Sequence, residues 1–179
     1  MTTTKAFAAR PIHPAVVAQL REHDDAGRTP RLVVDAEGGS PLRCCLRLSE
    51  PGEEMLLASY APLRRWAADT GADPGAYDEM GPVFLHAAPC EGTADDHYPE
   101  VGTLPRVFRA YDARGNIVGG TFVPEGGDPE RAVGELFDDP AVAFVHARAL
   151  VHGCFTFAID RASAAAAATS NAASTAVAG

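Results

Sequence analysis

The segment GPVFLHAAPC, from Gly81 to Cys90, combines a short apolar strand with a histidine and a cysteine near its end. Pro82 fits a strand only at its start or on a sheet edge, because proline has no backbone N–H to donate. A second segment, Ala143 to Ala147, repeats the order Phe, aliphatic residue, His, Ala, and Cys154 follows its histidine by eight residues. The two segments predict two similar strands, each carrying a histidine that is a candidate for a functional site.

The composition is typical of a single globular domain. The chain has 179 residues, of which 46% are hydrophobic and 22% are charged, enough for one sizeable core. Fifteen Lys and Arg residues stand against 24 Asp and Glu residues, and the formal net charge is −9. Because nucleic acids and anionic membranes bind basic surfaces, this charge argues against both as partners.

The sequence predicts a cytoplasmic protein. No window approaches the roughly 20 apolar residues of a transmembrane helix, and the N-terminus lacks the pattern of a signal peptide. The four cysteines are therefore expected to be reduced thiols, metal ligands or reactive nucleophiles and not structural disulfides. Cys44 and Cys45 are adjacent, which is not a recognised zinc spacing.

Short segments of alternating hydrophobicity predict the strands. Strands are expected over residues 31–35, 42–48, 54–60, 82–87, 106–111, 117–123, 142–147 and 154–160, and helices over 14–23 and 129–137, with 63–69 as either a short helix or part of a lid. Since turns and not crossover helices connect most strands, we expect an α+β fold: a mostly antiparallel, curved sheet or partial barrel of about eight short strands with two or three helices.

The predicted domain covers residues 1–161, of which the first 11 or so are expected to be a loose terminus. Residues 162–179 consist almost entirely of Ala, Ser, Thr, Asn and Gly. Such a composition buries too little apolar surface to fold by itself, so a disordered tail is expected there.

The cysteine pair is interpreted through the expected strand at 42–48. Alternation would place Cys44 on the core face and Cys45 on the other face with Arg43 and Arg47. Two neighbouring guanidiniums would favour the Cys45 thiolate and lower its pKa. Cys45 and Cys90 are therefore candidate reactive thiols, with a histidine as the base.

Several segments together resemble the blocks of a known family. They are Pro51-Gly52-Glu53 with the apolar strand ending at Tyr60, the segment from Gly81 to Cys90, Arg109-Ala110-Tyr111-Asp112, Phe144 to Arg148, and Gly153-Cys154-Phe155 with Asp160-Arg161. Over about residues 41–161 the chain resembles an uncharacterised bacterial family catalogued as domain of unknown function 1203. The resemblance implies no activity.

The chain departs from that family's pattern at three positions. In the family, Arg43 tends to be preceded by Cys and followed by His, where this chain has Leu42 and Cys44. An Asn tends to follow the arginine at position 148, where this chain has Ala149. The resemblance therefore implies that this member has altered three polar or ligating side chains.

The leading functional hypothesis is an acid/base enzyme. If the two similar strands belong to one sheet, His86 and His146 point to the same face and could converge. Arg109 and Tyr111 on a neighbouring strand would then bind a small anionic or carbonyl-bearing substrate while the histidines transfer protons. This reading predicts an isomerase, cyclase or lyase without a cofactor, for which specialised metabolism is one setting. Further candidate binding residues are Arg148, Tyr60 and Arg43.

Two alternatives remain open at this point. Zinc or copper could be held by soft and borderline ligands, for which the candidates are His86, Cys90, His146, His152 and Cys154. The protein could also bind a small molecule without catalysis. A small-molecule partner is expected in most of these readings, and a homodimer is left open.

Overall fold

The computed structural model describes residues 7–90, 92–93 and 104–161. These residues contain eight strands and three α-helices. The strands form two antiparallel sheets that do not close into a barrel. The predicted α+β fold with a curved, antiparallel sheet is therefore confirmed. The predicted tail at 162–179 and most of the loop expected at 91–105 lie outside the described residues.

Strands β2 to β8 and the three helices lie close to the predicted positions, and two differences are described below. The strands are β1 (Phe7–Arg10), β2 (Arg31–Asp35), β3 (Glu53–Tyr60), β4 (Gly81–His86), β5 (Arg106–Tyr111), β6 (Ile117–Val123), β7 (Phe144–Ala149) and β8 (Phe155–Arg161), and the helices are α1 (Pro14–Glu22), α2 (Pro62–Thr70) and α3 (Pro129–Phe137). One sheet has the order β1-β8-β7-β5-β6 and the other has the order β2-β3-β4.

Local sequence signals explain where the helices begin and end. Asp128 caps α3 by accepting a hydrogen bond from the Arg131 N–H, and proline occupies the first turn of each of the three helices, where its missing N–H costs nothing. Residues 63–69, left open between helix and lid, form α2, which ends at Gly71 with φ +74°. Glycine adopts this left-handed conformation without a steric penalty.

The N-terminal strand β1 is a correction to the expected loose terminus. It pairs antiparallel with β8, with Ala8 opposite Asp160 and Arg10 opposite Ala158. Its four residues carry no alternating pattern, so its structure comes from the hydrogen bonds that the β8 edge offers and not from local propensity.

The expected strand at 42–48 is wrong, because β3, the next strand along the chain, pairs with β2 and β4. These residues form a compact turn in which Leu46 N–H donates to Leu42 O and Leu42 N–H donates to Arg47 O, both at 2.9 Å. An isolated bridge between Pro41 and Leu48 closes the turn on itself, and a second one joins Leu42 to Phe84 of β4. We name residues 41–48 the cysteine loop.

Three apolar clusters form the core, of which the smallest consists of Leu63, Tyr111 and Phe144 with Trp66 packed against them. The first lies between the five-stranded sheet and α3 and includes Phe108, Val133, Val145 and Phe157. The second joins α1, the three-stranded sheet and the cysteine loop, and it includes Leu20, Leu42, Cys44, Cys45, Met55, Val83 and Leu85. Leu46 of the cysteine loop packs into the first cluster. In the part of the chain that the structure describes, no helix has the length and apolar character needed to cross a membrane.

Leu46 combines a left-handed backbone, φ +62°, with a side chain that is only 3% exposed. A left-handed conformation costs a residue with a Cβ roughly 1–2 kcal/mol, and burial of the side chain offsets this cost. We expect Leu46→Ala to destabilise the protein by about 2–5 kcal/mol. Because glycine relieves the backbone strain, Leu46→Gly should be at least as stable as Leu46→Ala in urea unfolding.

Leu85 in β4 is the matched control, since it is fully buried in regular strand backbone. There, Gly should be less stable than Ala by about 0.5–1 kcal/mol. The same penalty for Gly at position 46 would contradict the proposed strain.

Candidate functional site

The base of the cysteine loop is fixed by Asp35 at the end of β2. Its carboxylate accepts hydrogen bonds from Ser49 Oγ at 2.6 Å, Gly38 N–H at 3.0 Å and Ser40 N–H at 3.2 Å. These bonds, chiefly those from the two serines, lower the pKa of Asp35 to about 2. Gly38 has φ +75°, and a Cβ there would approach Ser49 O and Pro51 N to 2.9 Å. Glycine is therefore required at position 38, where the backbone passes close to residues 49–51.

Arg43 fastens the other side of the cysteine loop. Its backbone N–H donates to Phe84 O at 2.9 Å, and its Nε donates to Phe155 O at 3.0 Å. The guanidinium also donates to Pro41 O. Burial lowers the pKa of Arg43 to about 10. Arg43 was predicted to bind substrate, but its Nε and Nη1 atoms donate to backbone carbonyl groups of the protein itself.

The cysteine loop brings two thiols to the end of β4. One ligand atom each from Cys44, Cys45, His86 and Cys90 lies within 4.8 Å of the others. The Nδ1 atom of His86 lies 3.1 Å from Cys44 Sγ and 3.8 Å from Cys45 Sγ. Cys44 and Cys45 are buried, whereas Cys90 is half-buried, and all of them are free thiols. We name these four residues the sulfur–imidazole cluster.

Each sulfur of the cluster accepts a hydrogen bond from the backbone. The N–H of His86 donates to Cys44 Sγ and the N–H of Gly92 donates to Cys90 Sγ, both at 3.4 Å. The backbone N–H of Arg47 donates to Cys45. Donors aimed at sulfur stabilise the thiolate, which is the form that binds metals and attacks electrophiles.

The pKa of the Cys45 thiol is lowered in this cluster. The hydrogen bond that it accepts from Cys44 is the main cause, followed by the hydrogen bond from the Arg47 N–H. The Cys44–Cys45 bond raises the pKa of Cys44. The direction at Cys45 is the expected one, but its main cause is the neighbouring thiol and not the flanking guanidiniums, and the reactive-thiol role of Cys45 stays a prediction.

The far side of the His86 ring faces a carboxylate. Its Nε2 atom lies 2.9 Å from Glu53 Oε1, and Arg47 holds the same carboxylate with bonds of 2.7 and 3.1 Å. Nε2 also lies 2.6 Å from Arg47 Nη2, which can only donate, so the tautomer of the ring decides whether Nε2 accepts from Arg47 or donates to Glu53. An Nε2–H directed at Glu53 leaves the Nδ1 lone pair facing the sulfurs.

A second group of polar side chains lies on the five-stranded sheet. Arg109 on β5 is the cross-strand partner of His146 on β7. The His146 ring packs against Tyr111 at a centroid distance of 4.8 Å and against Phe155 at 5.0 Å, and Arg148 Nη2 lies 3.4 Å from the Tyr111 hydroxyl. We name Arg109, Tyr111, His146 and Arg148 the arginine–histidine face.

His146 is a neutral residue at pH 7. Burial lowers its pKa well below the ordinary value of 6.5, and the charges of Arg148 and Arg109 lower it further. Among the described residues, its Nδ1 atom is buried without a hydrogen-bond partner. A buried, neutral imidazole with a free nitrogen lone pair or N–H is uncommon in folded proteins, where such atoms are usually satisfied.

The structure separates the two predicted catalytic histidines. His86 lies in the three-stranded sheet and His146 in the five-stranded sheet, so the premise that their strands share one sheet is wrong. Each ring has its own partners, and a proton-transfer role for either histidine stays a prediction.

The predicted metal ligands are divided in the same way. The sulfur–imidazole cluster contains His86 and Cys90 but not His146, His152 or Cys154. Cys154 instead lies beside the exposed His152, with its Sγ 3.6 Å from the His152 carbonyl oxygen.

The predicted binding residue Tyr60 packs against Phe155 at a centroid distance of 5.3 Å, and burial raises the pKa of Tyr60 to about 12.

Three residues of these sites escaped the sequence reasoning. Cys44 was expected to be a core residue, and it is buried, but its sulfur contacts an imidazole 42 residues away. Glu53 belongs to the Pro51-Gly52-Glu53 block, and Glu79 belongs to no motif, but neither was a candidate site residue until folding placed it beside a histidine or an arginine. The one available signal was the concentration of Cys44, Cys45 and Cys90 with a histidine in a chain with few cysteines.

The fold and its site define a small α+β protein with a preassembled cluster of three thiols and one imidazole. The chain belongs to the family DUF1203, described as a protein of unknown function, whose sequence profile matches residues 39–161. The resemblance inferred from the sequence is thereby confirmed. No curated protein and no solved structure matches the chain. The matched residues include the whole sulfur–imidazole cluster and the whole arginine–histidine face.

Burial of neutral His146 makes the stability of the protein depend on pH. The unfolded chain protonates this histidine near pH 6.5, whereas the folded protein does so only at much lower pH. The unfolded state therefore binds more protons below about pH 6.5, and the unfolding free energy should fall with decreasing pH by up to about 1.4 kcal/mol per pH unit until the lowered pKa is reached. Above pH 6.5 His146 should contribute no slope.

Urea unfolding of the wild type and of His146→Phe, between about pH 7.5 and 5, tests this expectation. The phenyl ring keeps an aromatic side chain between Tyr111 and Phe155 but cannot titrate. The variant should lose the part of the slope that begins near pH 6.5. Identical slopes in both proteins would contradict the neutral assignment.

Proposed function

We propose that the protein binds zinc through the sulfur–imidazole cluster, with Sγ of Cys44, Cys45 and Cys90 and Nδ1 of His86 as the four ligands. The observation that carries the proposal is the convergence of these donors within 4.8 Å of one another. In tetrahedral zinc sites, neighbouring donors lie about 3.5–3.8 Å apart, as Zn–S bonds of about 2.3 Å and Zn–N bonds of about 2.0–2.1 Å require. The two measured S···N distances, 3.1 and 3.8 Å, lie near that range.

The surroundings of the cluster support the same proposal. Metal-binding histidines usually donate their second ring N–H to a carboxylate, which orients the ring and increases the basicity of the other nitrogen. Glu53 occupies that position for His86, and Arg47 fixes the carboxylate in turn. The backbone N–H groups on the three sulfurs stabilise the thiolates that a metal requires.

The donor types favour zinc among common cations. Magnesium and calcium prefer oxygen ligands, whereas thiolates with an imidazole suit zinc and copper. Three cysteines and one histidine form a closed tetrahedral set, which is the pattern of structural zinc sites and leaves no position for a reacting water. We therefore propose a structural role, in which zinc ties the cysteine loop to the end of β4. A reducing compartment, such as the cytoplasm that the sequence predicts, would keep the ligands reduced.

This proposal reassigns His86. As a ligand through Nδ1, with its other nitrogen directed at Glu53, His86 has no nitrogen left to transfer a proton to a substrate. The alternative that the sequence raised, a zinc- or copper-binding protein, is therefore preferred here to the paired-histidine enzyme.

Metal analysis of the purified, reduced chain tests the proposal. After removal of bound metal and addition of zinc, we expect one zinc per chain with a Kd of about 1 nM or below, as for structural zinc sites. Cys90→Ser and Cys45→Ser should lose stoichiometric binding. Glu53→Gln should keep the ligands but bind zinc about 10–100-fold more weakly.

Cys154→Ser is the matched control, because Cys154 is a free thiol outside the cluster. It should bind zinc like the wild type. Full zinc binding by Cys90→Ser, or none by a wild-type chain whose thiols are all titrated as reduced, would overturn the proposal. Tight binding of copper(I) without zinc would keep the cluster as a metal centre but overturn its assignment to zinc.

A further inference from the structure

Glu79 joins the two arginines of the arginine–histidine face. Its Oε1 atom lies 2.7 Å from Arg109 Nη1 and also contacts Arg148 Nη2. Arg148 is almost completely buried, with 7% of its side chain exposed, whereas the Glu79 side chain is 43% exposed. The carboxylate therefore reaches from the surface onto two guanidiniums that belong to neighbouring strands.

The charges of this group do not balance. Two guanidiniums face one carboxylate, and the neutral His146 adds no charge to the group. The desolvated Arg148 thus lies in a group with one positive charge in excess. Burying a cation without a full counter-charge is costly, so such a place attracts an anion.

Hydrogen-bonding capacity is also unused around these arginines. In the described part of the chain, His146 Nδ1 and Arg148 Nε are buried and have no hydrogen-bond partner. His146 is only 3% exposed, and its ring lies beside the Tyr111 ring, whose hydroxyl is near Arg148 Nη2. Unsatisfied buried donors and acceptors in native proteins require an explanation, and ion binding is one of the recognised explanations.

The donors are fixed and their acceptor is not. Arg109 and Arg148 are held by the register of β5 and β7, in which Arg109 pairs with His146 and Val107 pairs with Arg148. Glu79 belongs to the short segment between the turn at Gly75–Tyr77 and β4, outside any helix or strand. Displacement of this carboxylate would therefore break no hydrogen bond of either sheet.

From these observations we infer that the arginine–histidine face is a binding site for a small carboxylate, and that Glu79 occupies the place of its carboxyl group in this structure. Arginine pairs with carboxylates in a planar, two-bond geometry that a free acid can adopt as well as a glutamate side chain. The neutral His146 and the Tyr111 hydroxyl supply the additional polar contacts. This inference does not depend on the zinc proposal, since the two sites share no residue.

Chemical rescue by acetate tests the inference. Glu79→Ala leaves Arg109 and Arg148 without their carboxylate, and its melting temperature should fall. Sodium acetate should raise that temperature in a saturable manner, whereas sodium chloride at equal ionic strength should not. Because the internal competitor is gone, Glu79→Ala should bind acetate more tightly than the wild type by about tenfold or more, as measured by isothermal titration calorimetry.

Glu135→Ala is the matched control, since Glu135 also pairs with an arginine, Arg131, but on the exposed surface of α3. Acetate should not rescue it. In the Glu79→Ala background, Arg109→Gln should abolish the acetate response, and because Arg109 is partly exposed, this variant avoids replacing the buried Arg148.

Three results would overturn the inference. They are an equal effect of acetate and chloride on Glu79→Ala, an equal acetate rescue of Glu135→Ala, and an unchanged acetate response after Arg109→Gln. Inorganic phosphate provides a fourth comparison: tighter binding of phosphate than of acetate would overturn the assignment to carboxylates. Retention of zinc by all these variants would show that a negative result concerns this site alone.

Discussion

The arrangement of both sites depends on the buried side chain and backbone of Arg43. Its N–H bonds to Phe84 O in the three-stranded sheet, and its Nε bonds to Phe155 O in the five-stranded sheet. One residue of the cysteine loop thus connects the two sheets through backbone carbonyl groups. A guanidinium suits this role because it offers several fixed donors and stays charged even when burial lowers its pKa to about 10,. These bonds help to hold the cysteine loop beside His86.

Phe155 shows how this connection reaches the second site. Its carbonyl oxygen accepts the Arg43 hydrogen bond. Its ring packs edge-on against the His146 ring and at a tilted angle against the Tyr60 ring. The same residue therefore lies next to the cysteine loop through its backbone and next to the arginine–histidine face through its side chain. Because close-packed interiors transmit small shifts, a metal bound at the cluster and an anion bound at the face would act on one shared element of structure.

Several features could be predicted because their causes are local. The Asp-Pro start of α3 satisfies the first amides of a helix from adjacent residues,, and the alternation in β5 and β7 follows from the two-residue period of any strand. Local reasoning failed at the cysteine loop, where alternation at 42–48 matched a strand but the residues form a turn with a strained Leu46. Burial of Leu46 and the bonds of Arg43 outweigh the strand preference there, and both involve residues far away in the chain.

The amino-acid sequence by itself determined the α+β class, most of the strands and helices, the family, and the residue types from which a site could be built. It also identified His86, Cys90, Arg109, Tyr111, His146 and Arg148 as candidates. Only the tertiary structure decided how they are grouped: His86 with three cysteines and Glu53, and His146 with two arginines and Glu79. The physical reason is that hydrogen bonds and charge pairs depend on distances of a few ångströms, often between residues that are 30 or more positions apart. Periodicity along the chain carries no information about such distances.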